Sequence, residues 1–180
     1  MTEESPEGQR RIDRITAPVY VHGLPDLSLA DLRARRDECL AEREYLSLLR
    51  RLVQGRLDIL RAEVERRRRG DDPSTLVEHV AETMANAGGP GTVRGEAVRL
   101  GVAEEDMTLA RGRVDSLVDD ASISDPRSLS DDEIASAIEA LEAEEHSVSG
   151  DRRRVLDVHD ALQEELKRRF KENPAEALAP

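Results

Sequence analysis

"LSLLRRLVQGRLDILRAEVERR", residues 46 to 67, decides the fold. Leu46, Val53 and Leu60 recur at every seventh position, the spacing of a coiled-coil seam. Followed towards the N-terminus, the same column adds Cys39 and Leu32, so the d positions are apolar throughout. "SLADL" opens the helix, with Ser28 as N-cap and Asp31 three residues on as an imperfect capping box. The basic "ERRRRG" closes it, Gly70 offering the left-handed cap, and the isolated Gly55 is tolerable. A helix over 28–70 is about 64 Å long at a rise of about 1.5 Å per residue, and a helix of that length needs a partner.

The partner lies in the same chain. "SLSDDEI" carries a second capping box, Ser130 with Glu133, and the pattern runs from there to about Glu172, where Asn173 and Pro174 stop it. Its d column is Ile134, Leu141, Val148, Val155 and Leu162. A shift of 102 residues without gaps lays "LSLADL" (27 to 32) on "LSDDEI" (129 to 134), Ser47 on Ser149, Arg50 on Arg152, Asp58 on Asp160, and "EVERR" (63 to 67) on "ELKRR" (165 to 169). Shared caps and a shared polar ladder read as duplication, beyond the composition that any two heptad-rich segments have in common.

The expected fold is all-α: a long antiparallel two-helix coiled coil, formed as an intramolecular hairpin, with short helices in the connection and an irregular N-terminal arm. The arm, 1–27, holds Pro18, Gly23 and Pro25 around "VYVHGL" and reads as disordered or extended. Between the long helices of 28–70 and 128–172, the connection 71–127 offers short helices in "LVEHVAETMAN" and "EEDMTLARGRVDSLVDD" and a flexible "AGGPGTVRG". The tail 173–180 is expected to be loose.

Composition narrows the function. The chain of 180 residues is 38% hydrophobic and 37% charged with three aromatic residues, Tyr20, Tyr45 and Phe170, too few for a broad globular core and suited to long amphipathic helices. A formal net charge of -12 argues against direct DNA binding, since phosphate contacts need net or clustered positive charge. Cys39 is the single cysteine, and His22, His79, His146 and His159 are scattered, so neither a disulfide framework nor a zinc pattern arises and no metal is expected. The N-terminus lacks an apolar signal region and no stretch reaches the roughly 20 apolar residues of a membrane span, which predicts a cytoplasmic protein without membrane contact. No P-loop, G-x-S-x-G or H-E-x-x-H motif occurs, and the expectation is that the protein is not an enzyme.

The a column raises the functional question. It reads Leu29, Arg36, Arg43, Arg50, Leu57 and Val64 in the first helix, and Asp131, Ile138, Glu145, Arg152, His159 and Leu166 in the second, with charges in the middle of both. A plain coiled coil accommodates such residues by letting arginines snorkel outward while they fix register. The charges have company, however. At about 100° per residue, Arg43, Ser47, Arg50, Gln54 and Asp58 share a stripe about 80° wide, and the second helix repeats it with Glu145, Ser149, Arg152, Leu156 and Asp160. An arginine fork suits guanine O6 and N7, a carboxylate accepts from guanine N1–H and N2–H, and serine or glutamine bonds phosphate or ribose. Arg43, Arg50, Arg51 and Arg56 give the first stripe local positive charge, whereas four acids among residues 145 to 160 offset Arg152, Arg153 and Arg154.

This ladder resembles the signature E-x3-S-x2-R-x3-Q-x3-D of RsiG, the actinobacterial anti-sigma factors that sequester the sporulation sigma factor WhiG when loaded with cyclic di-GMP. The resemblance covers both long helices. It implies an antiparallel coiled coil with one signature on each helix, cyclic di-GMP as regulatory ligand, and a WhiG-type sigma factor as partner withheld from RNA polymerase. Transferred by position, the first copy keeps Ser47, Arg50, Gln54 and Asp58, with Arg43 in place of the glutamate. The second keeps Glu145, Ser149, Arg152 and Asp160, with Leu156 in place of the glutamine. The alternative from another class is a ligand-independent coiled-coil adaptor or scaffold, to which added nucleotide makes no difference.

Overall fold

The computed structural model describes residues 10–70, 102–118 and 126–173. Every regular element among them is helical. Two short helices, α1 (Arg11–Ile15) and α3 (Glu104–Asp115), each precede a long one, α2 (Leu29–Arg69, 41 residues) and α4 (Asp131–Glu172, 42 residues). Short 3-10 turns stand at Pro18–Val21, Leu24–Asp26 and Pro126–Ser128. The expected helix in "LVEHVAETMAN" and the loop "AGGPGTVRG" lie outside the described residues, as does the tail beyond Asn173.

The chain divides into two compact units, a first of Met1–Arg43 with Gly150–Pro180 and a second of Glu44–Ser149. Each packs a stretch of α2 against a stretch of α4, and in both the helices run antiparallel, giving the expected hairpin. In the second unit Arg50, Arg61 and Arg67 of α2 meet Glu145, Glu142 and Asp131 of α4 in reversed chain order. In the first, Arg33 near the start of α2 lies over the ring of Phe170 near the end of α4, 5.9 Å from its centroid.

The helix ends follow the sequence signals. The Asp31 N–H donates to Ser28 Oγ at 3.0 Å, while the Ser28 hydroxyl donates to the Asp31 carboxylate, which is too short to reach back to the backbone. Glu133 is long enough, and the Ser130–Glu133 box is reciprocal: Glu133 N–H to Ser130 Oγ at 3.2 Å, Ser130 N–H to Glu133 Oε2 at 2.7 Å. Gly70 follows α2 with φ 71, the left-handed conformation that glycine adopts without steric cost. All ten d residues of the two helices are at most 1% exposed, so the seam is continuous within each unit.

Beside the d column, the better buried flank is the g column. Glu42, Leu49 and Glu63 on α2 and Asp151 and Glu165 on α4 are buried there, whereas Arg43, Arg50, Glu145 and Arg152 in the a column are half-exposed. The g flank is covered where the short helices pack. The arm expected over 1–27 to be disordered or extended is folded over residues 10–27, with Ile12, Ile15 and Tyr20 buried. Arg11 of α1 pairs with the buried Glu42, and the Tyr20 hydroxyl donates to Glu38 at 2.7 Å, so apolar anchors and a buried ion pair hold the arm in the first unit. Burial pushes the thiol of Cys39 up to about 11, consistent with a packing role for that residue.

Both units carry the same internal plan. Arg11 pairs with Glu42 in the first, and Arg113 pairs with Glu144 at 2.6 Å in the second, 102 residues on at both partners. Glu63, fully buried, accepts from Arg66 and Arg67, and Arg67 also donates to the Pro126 and Leu129 carbonyls that lead into α4. Its counterpart Glu165 accepts from Arg168 and Arg169, and Arg169 donates to the Leu24 and Pro25 carbonyls that lead towards α2. The 3-10 turns Leu24–Asp26 and Pro126–Ser128 obey the same shift. Duplication therefore reaches back beyond the long helices to "RIDRI" (11 to 15), which matches "RVDSL" (113 to 117).

Hydrogen bonds from Arg168, opposed by burial and assisted by Arg169, lower the Glu165 carboxyl from 4.5 to about 2. A carboxylate whose pKa is depressed by folding adds stability that is complete above its unfolded pKa and is lost as pH falls through the folded one. Chemical denaturation between pH 7 and pH 2 should show stability falling below about pH 4.5, and Glu165→Gln should be less stable than wild type at pH 7 with a shallower acid fall. Identical acid slopes for the two proteins would refute this account.

Candidate functional site

The a flank, left half-open beside a closed seam, carries the polar ladder. In the second unit α2 supplies Ser47, Arg50, Gln54 and Asp58, and α4 supplies Glu145 and Ser149. Steps of three and four residues keep the α2 members on one side of that helix, and the antiparallel register sets Arg50 opposite Glu145.

Three donors converge on one oxygen. Arg50 Nε donates to Glu145 Oε1 at 2.7 Å, Ser149 Oγ donates to it at 3.1 Å, and Gln54 Nε2 approaches at 3.5 Å, the limit of a hydrogen bond. The Arg50 hydrogen bond, opposed by partial burial and helped by Ser149, holds the Glu145 carboxyl below its usual range. Glu145 is thus an anion at neutral pH and fixes the plane of the Arg50 guanidinium. The side chains are 40% and 26% exposed, so water and solutes reach the pair. Ser47 and Asp58 are half-buried on the same helix.

The other four ladder residues belong to the first unit. Arg43, Arg152 and Leu156 are half-buried. Asp160 is exposed and meets His159 Nδ1 at 3.1 Å. The structure therefore brings Arg50 and Gln54 of one copy together with Glu145 and Ser149 of the other.

Sequence reasoning did not identify Glu145 as the counterion of Arg50, because pairing across a hairpin depends on a register that heptads alone leave open. It also missed the two arginine forks at Glu63 and Glu165, although the match of "EVERR" to "ELKRR" was visible. The repeat of "RIDRI" as "RVDSL" was visible as well, but not the pairing of its arginine with Glu42.

A family model described as RsiG-like matches residues 18–84, which takes in the end of the arm and the whole of α2 with the first ladder. This segment is RsiG-like. The match concerns that segment alone, well under half of the chain, and the RsiG-like family is one of anti-sigma regulators. No curated protein and no solved structure is matched by the chain. None of the described helices is long and apolar enough to cross a membrane.

A double-mutant cycle on Arg50→Ala and Glu145→Ala, read by urea denaturation, should give a coupling of about 0.5–1 kcal/mol, the range of a partly exposed pair. The coupling should shrink in high salt. Additive effects of the two substitutions would show that the pair does not form in solution.

Proposed function

We propose that this protein is an anti-sigma factor whose two helical motifs bind cyclic di-GMP and which, when loaded, sequesters a WhiG-type sigma factor from RNA polymerase. The observation that carries the reading is the convergence of Arg50, Gln54 and Ser149 on Glu145, which joins members of both motif copies in one accessible cluster. The RsiG-like match over the first motif supports it.

The chemistry of the ladder suits guanine. Arg50 with Asp58 in the second unit, and Arg152 with Asp160 in the first, each offer a donor fork for O6 and N7 and a carboxylate acceptor for N1–H and N2–H. Arg50 is already oriented by Glu145, so a base edge meets a guanidinium whose rotamer freedom is spent. Ligand then acts by population shift: it favours the sigma-binding arrangement to the extent that it binds that arrangement more tightly. The acidic chain, at -12, complements a partner with basic DNA-binding faces and speeds encounter with it. In this reading the protein works in the cytoplasm, where nucleotide, sigma factor and polymerase meet.

Isothermal titration calorimetry of the full chain with cyclic di-GMP tests the proposal. Wild type should bind, and Arg50→Ala, Asp58→Ala and Asp160→Ala should each weaken binding by about 10- to 100-fold, the cost of about 1–3 kcal/mol for a lost base-edge contact. Capture of a WhiG-type sigma factor should depend on added nucleotide. Absence of nucleotide binding both with and without sigma would leave the ligand-independent adaptor as the surviving account.

A further inference from the structure

We propose that the groove between the end of α2 and the start of α4 in the second unit is a docking site for a helix of a partner protein, one that presents a phenylalanine-like side chain beside an arginine or lysine. Val64, Arg67 and Arg68 of α2 and Asp131, Ala135 and Ile138 of α4 line this groove, which encloses about 630 Å³. Its counterpart in the first unit is filled. The shift of 102 residues carries Val64 to Leu166, Arg68 to Phe170 and Ala135 to Arg33. In the first unit Phe170 lies under Arg33, with the guanidinium 5.9 Å from the ring centroid, and Leu166 is 1% exposed. In the second unit Arg68 turns to Glu65 at 3.0 Å and is 76% exposed, alanine stands in place of Arg33, and Val64 is 43% exposed.

An apolar floor left open to water gains free energy when it is covered, and an aromatic ring covers more area than most side chains. Val64 and Ile138 supply that floor, and the first unit shows a ring in the equivalent place. The rim sets the charge of the occupant. On the α2 side the arginines are engaged, Arg67 with Glu63 and Asp131, and Arg68 with Glu65. On the α4 side Asp132 and Glu139 stand one turn before and one turn after Ala135, and both are exposed. From Asp131 to Glu145 that helix has seven acids and no lysine or arginine. A cation arriving where Arg33 sits in the first unit therefore meets carboxylates. A second copy of this chain is a poorer occupant, since it brings a net charge of -12 to an acidic rim and its single phenylalanine is already packed under Arg33. An apolar anchor flanked by basic residues on a partner helix matches both floor and rim.

Identifying that partner with the sigma factor rests on the proposed function; the preference of the groove does not. The test is fluorescence anisotropy of a labelled helical alanine–lysine peptide that carries phenylalanine and arginine one turn apart, titrated with the full-length protein. Wild type should bind it, and alanine in place of the peptide's phenylalanine should cost about tenfold or more in affinity. Arg68→Phe combined with Ala135→Arg rebuilds the pair of the first unit, and this filled variant should melt above wild type and lose the peptide. Val64→Gln should also lose the peptide, with a Tm for the free chain close to that of wild type. Arg69→Phe, the same exchange one residue along and outside the groove lining, should keep it. Absence of binding to wild type, or equal binding to Val64→Gln and the filled variant, overturns the groove. A marked fall in Tm for Val64→Gln overturns it too, because the chain itself would then cover the site, as does a doubling of mass with concentration that the filled variant abolishes, because a second copy would. Sigma capture separates the two proposals. Where wild type loaded with cyclic di-GMP captures a WhiG-type sigma factor, Val64→Gln and the filled variant should weaken capture about tenfold or more and leave the nucleotide affinity of the free chain unchanged. Capture untouched by these changes removes the sigma assignment. No capture by wild type removes the proposed function, and the peptide then decides the groove alone.

Discussion

A glutamate buried near the end of each long helix, held by two arginines three and four residues on, ties the helix ends to the chain entering the opposite helix. Alone, a buried carboxylate is costly, and even paired it often gains little over an apolar replacement. Here the arginines do more than neutralise it. Arg67 spans Glu63, Asp131 and the carbonyls at Pro126 and Leu129, while Arg169 spans Glu165 and the carbonyls at Leu24 and Pro25. Each planar fork thereby converts a local i to i+4 pair into a tertiary fixing of register, which lysine, as a point charge, does not reproduce. With register set, the d residues close the seam and the a residues of both helices come to share one side.

The two flanks of that seam have been put to different uses. On the g side, burial is completed by the short helices, and the buried Glu42 and the half-buried Glu144 take their counterions from Arg11 and Arg113. Neither pair is local in sequence, so both need the short helices in place. On the a side the charges remain half-exposed, where ion pairs contribute little to stability and stay open to exchange with a solute. One flank secures the fold and the other is available to a ligand.

How much of this was legible follows from the range of each interaction. The d column, both N-caps and Gly70 are local or periodic, and the structure has them where the sequence signals them. The ladder was legible as spacing on each helix. Its junction was not, because placing Arg50 against Glu145 requires the hairpin register, and that is fixed by the forks at Glu63 and Glu165. The helical turns within the irregular arm were not legible for a related reason. A helix of five residues shows no periodicity, and Pro18, Gly23 and Pro25 are as compatible with 3-10 turns as with extended chain. Only the shift of 102 residues, applied to the short segments as well as the long ones, reveals α1 as the counterpart of the end of α3.

Where the two copies agree, they agree in what holds the units together: seam, caps, forks and the arginine–glutamate pairs of the short helices. Where they differ in the ladder, at Arg43 against Glu145 and at Gln54 against Leu156, the change falls on the half-exposed flank and alters donor and acceptor character without touching the d column. The scaffold tolerates that change because what holds each unit together lies elsewhere, in the forks at Glu63 and Glu165 and in the pairs that Arg11 and Arg113 make with Glu42 and Glu144.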